Sequence, residues 1–198
     1  MKLFTNAASP FARKCRVIAH VLDLKLEETR TLPMQEPEFR RINPLGKIPA
    51  LILDDGSVLI DSPVICEYLD HAGGGTFFPT QSVWKEDARR WKILGLQALG
   101  DGLADAAVAW MIEGRQQTVN EASRTRHMAA VIATLDVLER AKLADEMTIG
   151  EVAVACALGY LDFRMPDLDW KSSRPKLAGW YAKISEHPAM KATAPTTP

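Results

Sequence analysis

The hydrophobic positions change period often over the first seventy or so residues and then settle into one rhythm. Lys2 to Thr5 is short and apolar enough for a strand. Pro10 to Leu22 has helical spacing, with Cys15, Ile18 and Leu22 on one face and Phe11 nearby. Glu27 to Leu32 reads as a second, partly exposed strand, and Pro37 to Ile42 as a short helix. Ala50 to Leu53 and Val58 to Ile60 are apolar runs joined by Asp54-Asp55-Gly56-Ser57, the pattern of a hairpin around an Asp-Gly turn. Asp61-Ser62-Pro63 opens another helix, with Ser62 as its cap and Pro63 in its first turn. That helix stops at Gly73-Gly74-Gly75. The predicted order is β-α-β-α-β-β-α.

Beyond Pro79 the spacing is helical throughout. Trp84 to Met111 carries apolar residues at Trp84, Trp91, Leu94, Ala98, Leu99, Leu103, Ala106 and Trp110. Arg124 to Lys142 is a second helix, with Met128, Val131, Ile132, Leu135 and Leu138 on one side. Thr148-Ile149-Gly150-Glu151 fits a capping box at the head of a third. That third helix, through Leu161, is apolar almost all round, which predicts a central, buried position. Pro175 to Glu186 is a fourth, and Ala192 to Pro198 reads as a frayed end. The expected fold class is therefore a small α/β domain over 1–78 and an all-helical domain over 84–198, with a linker at about 79–83.

Composition narrows the class of function. The 198 residues suffice for one domain or two compact ones, without a disulfide or metal staple. Basic and acidic residues balance at 24 against 25, so no nucleic-acid footprint is expected. Cys15, Cys66 and Cys156 form no CxxC and the four histidines form no HxxxH or HExxH, so no metal site is expected. The start MKLFTNAASPFARK lacks the apolar stretch of a secretory signal, and no run approaches the ~20 apolar residues of a membrane span. The expectation is a cytoplasmic protein with reduced thiols and no membrane partner.

Four features could carry chemistry, and each has a purely structural reading too. Ser9-Pro10 caps a helix; a hydroxyl at a helix start also faces a place where the helix dipole favours an anion such as a thiolate. Asn43-Pro44-Leu45-Gly46-Lys47-Ile48-Pro49 is a loop by composition, and a cis Ile48–Pro49 bond there would expose the Ile48 backbone to a ligand. Asp61-Ser62-Pro63 is a second helix start, whose free N–H groups suit a carboxylate while Asp61 suits an ammonium. Trp84, Trp91 and Trp110 form an aromatic stripe of the kind that usually faces a core, though one of them could line a pocket.

Taken together, SPFARK, GKIPAL, DSP and CALGYLDFRMPDLDW resemble the glutathione S-transferase family along nearly the whole chain, and in particular its bacterial members with a serine at the first helix start. The resemblance implies a thioredoxin-like first domain. It implies that Ser9 faces the glutathione sulfur, with Phe11 walling the site, and that Pro49 is the cis-proline after an Ile48 whose backbone pairs with the cysteinyl part. Asp61 and Ser62 would hold the γ-glutamyl end, and Lys47 and Leu32 the rest of the tripeptide. Glutathione would be a co-substrate with no further cofactor, the helical half would bind a small hydrophobic electrophile, and the protein would be a homodimer. The first helix start has no thiol, which sets aside a mixed-disulfide route, and no tyrosine precedes Tyr68. Two rivals remain: a non-catalytic binding module on the same fold, and a glutathione-dependent peroxidase or reductase.

Overall fold

The computed structural model describes residues 1–79 and 88–197. Trp84 and residues 80–83 of the expected linker lie outside them. The chain divides into two compact units, Met1–Arg90 with Pro188–Pro198, and Trp91–His187.

In the first unit, β1 (Lys2–Thr5) runs into α1 (Pro10–Val21), followed by β2 (Glu27–Arg30), a 3-10 turn over Pro37–Arg41, β3 (Ala50–Ile52), β4 (Val58–Leu59) and α2 (Ser62–Ala72). The sheet order is β2-β1-β3-β4. β1 pairs with β2 in parallel and with β3 antiparallel, and β3 pairs antiparallel with β4. Alternation along β1 sends Phe4 to one face, where it packs on Phe39 (ring centroids 5.4 Å apart) and Ala50, with Ile42, Ile48, Ile52 and Ile60 around them.

α1 starts as its sequence dictates: Ser9 is the cap and Pro10 supplies the pre-set φ of the first turn. α2 starts one residue earlier than expected. Asp61, not Ser62, holds the capping position, and its carboxylate makes no capping hydrogen bond. Ser62 is already helical because Pro63 tolerates only the first turn, and the Asp61 backbone is extended.

The expected frayed end, Ala192 to Pro198, is largely exposed among its described residues but is tied down at Thr193 and Thr196. Just before it, α7 (Pro188–Ala192) packs in the first unit, with Ala189, Met190 and then Thr193 buried. The buried Arg13 guanidinium donates to the Met190 carbonyl at 3.0 Å, and the Thr196 N–H donates to the Ala7 carbonyl at 3.4 Å. A five-residue helix is too short to show a periodic stripe, so its docking rests on these long-range bonds.

The second unit holds the rest of α3 (Ala88–Glu113) together with α4 (Glu121–Arg140), α5 (Ile149–Arg164) and α6 (Pro175–Ser185). α5 is buried continuously from Ile149 to Leu161, as its all-round apolar sequence requires. α3 lies so close to it that a Cβ on Gly100 would meet the Ala153–Val154 backbone at 2.7 Å. The expected box at Thr148 forms in a modified way. The Gly150 N–H donates to Thr148 Oγ1, and the Thr148 hydroxyl donates to Glu151, whose other oxygen takes the Ala144 N–H. Trp91 is 58% exposed, so it does not join the core its spacing suggested.

Asp70 closes the first unit at the end of α2. Its buried carboxylate accepts from the N–H groups of Thr76, Phe77 and Phe78 at 2.7, 2.9 and 3.1 Å, and Phe77 is 1% exposed behind it. Asp70→Ala strands a buried N–H and should cost about 1–3 kcal/mol of stability by urea denaturation, with an unchanged slope.

Candidate functional site

The strand register decides which loops share an edge. Thr5 at the end of β1 pairs with Arg30 at the end of β2, and Phe4 pairs with Ala50 at the start of β3. Leu51 pairs with Leu59 at the end of β4. The exits of β1, β2 and β4 and the entry of β3 therefore lie at one end of the sheet. Ser9 and Phe11, Leu32, Lys47 to Pro49, and Asp61 with Ser62 all follow or precede those strand ends. Every sequence-predicted site residue is brought to this end.

At the first mouth, Ser9 Oγ accepts from the Ala12 N–H at 3.2 Å. That bond uses one lone pair and leaves the hydroxyl proton free to donate. Phe11 is half-buried beside it. Cys15 faces the core, as expected from its spacing: it is fully buried, its sulfur 3.7 Å from that of Cys66 on α2.

At the prolyl corner, the Ile48–Pro49 bond is cis, the form the resemblance implies. Buried Asn43 staples the preceding loop. Its amide donates to the Lys47 carbonyl at 2.6 Å and its oxygen takes the Leu45 N–H at 3.0 Å. The Ile48 side chain packs into the Phe4 cluster, and its N–H and C=O make no hydrogen bond among the described residues. An unpaired main-chain edge can pair with an extended peptide. The exposed Lys47 side chain stands next to it.

At the second mouth, the Ser62 and Val64 N–H groups have no partner among the described residues, and Asp61 is exposed with its carboxylate uncommitted. Free N–H groups at a helix start attract an anion, and a carboxylate beside them attracts a cation. Leu32 differs from the others. Its N–H donates to Glu36 and its carbonyl takes the Gln35 and Glu36 N–H groups, so only its half-buried side chain is left to touch a ligand.

The second unit has an open groove of about 620 Å³ along α4, lined by Trp110, Arg124, Met128, Ile132 and their neighbours. The Arg124 guanidinium lies 4.1 Å over the Trp110 ring. Met128 and Ile132 were expected on the apolar side of α4; they line this groove half-buried, while Val131, Leu135 and Leu138 fill the core. On α5, burial pushes the Tyr160 phenol above its ordinary pKa, and the charges of Arg164 and Arg115 pull it partly back. Among the described residues no three His, Cys, Asp or Glu side chains are placed to hold a metal ion.

Two family models match: the glutathione S-transferase N-terminal domain over residues 8–72 and its C-terminal domain over residues 121–183. The chain belongs to the glutathione S-transferase family. All eight predicted site residues fall inside the first match. The GST-like protein YibF of Escherichia coli K12 is 30% identical over 188 residues, covering 89% of this chain and 90% of that protein. A glutathione transferase family member from Pseudomonas fluorescens Pf-5, solved with bound glutathione, is 40% identical with a TM-score of 0.90 over 99% of both chains. A glutathione S-transferase from Methylobacillus flagellatus, also with glutathione bound, is 36% identical with a TM-score of 0.88, over 98% of this chain and 99% of its own. The fold is that of the family: a thioredoxin-like N-terminal domain followed by a helical C-terminal one. No helix among the described residues is long and apolar enough to cross a membrane.

Sequence reasoning quoted Asn43 and Tyr160 within longer motifs but gave neither a role of its own. The signal for Tyr160 was available, since it is a phenol inside the most apolar run of this transferase-family chain. Its raised pKa sets a pH dependence. The folded state holds the phenolic proton more tightly than the unfolded chain, whose tyrosines titrate near 10. The contribution of Tyr160 to stability is thus fully present below pH about 10 and is lost as pH rises above it. Tyr160→Phe should flatten the decline of unfolding free energy between pH 9 and 11, measured by denaturant titration.

Proposed function

We propose that this chain is a glutathione transferase that presents glutathione as a thiolate to a small hydrophobic electrophile. The observation that carries the reading is the single sheet end with three chemically distinct offers. A serine hydroxyl at a helix start suits a thiolate; an unpaired peptide edge at Ile48 suits a cysteinyl backbone; an uncapped helix start with Asp61 beside it suits an α-amino acid end. The first two match the side chain and the backbone of the cysteinyl residue of γ-glutamyl-cysteinyl-glycine, and the third matches its γ-glutamyl end. Relatives at 36–40% identity that hold glutathione support it.

Ser9 would donate to the sulfur, with Phe11 as a wall. Ile48, after Lys47 and before Pro49, would pair with the cysteinyl residue. Asp61 would take the γ-glutamyl ammonium, and Ser62 its carboxylate. Lys47 and the Leu32 side chain would contact the remainder. A free thiol with pKa ~8.5 is only about 3% ionised at neutral pH, and lowering that value by ~2 units needs about 2.7 kcal/mol. A hydrogen bond to a charged group supplies ~1.5–3 kcal/mol and a helix start ~0.3–1 kcal/mol. The hydroxyl and the dipole together therefore suffice. The thiolate electron pair then forms the carbon–sulfur bond, and the leaving group departs with the pair it shared with that carbon. The helical half binds the electrophile, and the protein works as a cytoplasmic homodimer.

Ser9→Ala should lower kcat/KM with glutathione and an aryl halide by about ten- to a hundredfold. Ser9→Gly retains most of the helix start, because glycine is a tolerated cap, but it lacks the donor. Both variants should therefore lose activity alike while differing in melting temperature. Wild-type rates in either would remove Ser9 from the mechanism, and no heat of binding at millimolar glutathione would remove the transferase reading itself.

A further inference from the structure

The ladder fixes β1 only as far as Thr5, and Asn6 to Ser9 must carry the chain from there into α1. Asn6 holds this turn from within. Its carbonyl takes the Ser9 N–H at 3.2 Å, its side-chain oxygen takes the Ala8 N–H at 3.0 Å, and its amide donates to the Thr31 carbonyl at 3.4 Å. None of these bonds reaches Ala7, the half-buried residue in the middle of the turn. The Ala7 carbonyl accepts from the Thr196 N–H at 3.4 Å and from nothing else among the described residues.

Thr196 arrives there at the end of a segment that also grips α1. Arg13 lies one helical turn beyond Ser9, whose carbonyl takes its backbone N–H at 3.0 Å. The Arg13 side chain is buried, and its Nη2 donates to the Met190 carbonyl on α7 at 3.0 Å. Its Nε and Nη1 are buried without a partner among the described residues, so that carbonyl is the one acceptor this guanidinium has there. A charged donor stranded in a buried place is costly, which ties α7 to α1. The chain then keeps turning. Thr193, fully buried, donates its hydroxyl and its N–H to the Ala189 carbonyl at 2.8 and 3.2 Å, and the Ala194 N–H donates to the Lys191 carbonyl at 3.2 Å. Pro195, with its fixed φ, leads on to Thr196. As this segment advances from Met190 to Thr196, its partners step back from Arg13 to Ala7. Ser9 lies inside that bracket, and every residue of it belongs to the first unit.

We infer that Met190 to Thr196 form a strap that positions the Ser9 hydroxyl, anchored by the Arg13 guanidinium and the Thr196 N–H. The inference rests on the transferase reading for what that hydroxyl does. Ser9 Oγ sits on the Ala12 N–H at 3.2 Å, so the place from which it donates follows the turn and the helix start together. A donor displaced by about 1 Å from its acceptor loses much of its hydrogen bond, and misplacements of that size are costly to catalysis. Arg13 and Thr196 are therefore positioning residues, which act through Ser9.

Three variants of the full chain test this in two steps. Thr196→Pro deletes the N–H, and Thr196→Ala keeps it. Arg13→Met removes the other anchor without leaving a buried charge, so folding is not put at risk. In hydrogen-exchange measurements on the free protein, the Ala8 and Ser9 amides should exchange about tenfold faster in Thr196→Pro and in Arg13→Met. Thr196→Ala should exchange as the unchanged chain does. With glutathione added, the ultraviolet absorbance of the thiolate followed against pH is the second readout. The thiolate fraction at neutral pH should fall about threefold in Thr196→Pro and Arg13→Met, while the Kd for glutathione stays within about twofold. A role in stability alone would lower the melting temperature and leave the pH midpoint in place. Unchanged exchange in both variants, equal effects of Thr196→Ala and Thr196→Pro, or faster exchange with an unmoved thiolate midpoint would each overturn the inference. Faster exchange in a chain that binds no glutathione would keep the strap and sink the transferase reading; turnover with glutathione by a chain whose Ser9 amide ignores both variants would do the reverse.

Discussion

The arrangement of the first unit depends on how one four-residue strand is paired. β1 lies between β2 and β3, and its last two residues set the level of both neighbours: Thr5 against Arg30, Phe4 against Ala50. A slip of one position would turn Phe4 out of its cluster with Phe39 and the isoleucines and bury the polar Thr5 there instead. The apolar cluster therefore locks the register, and the register places Ser9, Pro49 and Asp61 at a common edge. None of these three needs to contact another to be held in place. Each is a fixed few residues from a strand end that the ladder has already positioned.

The two helix starts at that edge differ in a way that suits different ligand parts. α1 is capped by Ser9, so its first turn is partly satisfied and offers a hydroxyl proton. α2 is uncapped, so it offers bare N–H groups with a carboxylate beside them. Deeper in the unit, the buried Cys15 and Cys66 sulfurs touch across the two helices. Small, polarisable side chains at this contact let the helices pack closely, which keeps both starts at the same level of the sheet. The cysteines thus act as core, in line with the absence of a thiol at the helix start.

Much of this was legible in the sequence, for identifiable reasons. The hairpin showed because Asp-Gly separates two apolar runs, and α1 showed because Ser-Pro precedes a clean stripe. The box at Thr148 showed because cap and acid are three residues apart. What was not legible depends on partners far along the chain. Nothing near Asp61 says that its carboxylate leaves the helix start uncapped. Nothing near Met190 says that Arg13, distant in sequence and buried, donates to its carbonyl. Leu32 looked like one contact among several, yet Glu36, Gln35 and the following turn consume its backbone. Trp91 obeyed the helical period and still faces solvent, because a period identifies a stripe but not what covers it.

The two units also differ in what substitution can change. Part of the contacts proposed for glutathione use main-chain groups at Ile48 and Ser62, which any residue except proline supplies, while Ser9 and Asp61 act through their side chains. Only the ladder and the prolyl corner must persist for those main-chain groups to stay in place, and at 40% identity the fold that carries them is kept with a TM-score of 0.90. The groove of the second unit is lined instead by side chains on helices, among them Trp110, Arg124, Met128 and Ile132. A single substitution there alters charge or shape without touching Val131, Leu135 and Leu138, which fill the core from the same helix. Membership of the family therefore speaks to the fold and its two domains, while what the groove admits is decided by a few side chains that the fold leaves free to vary.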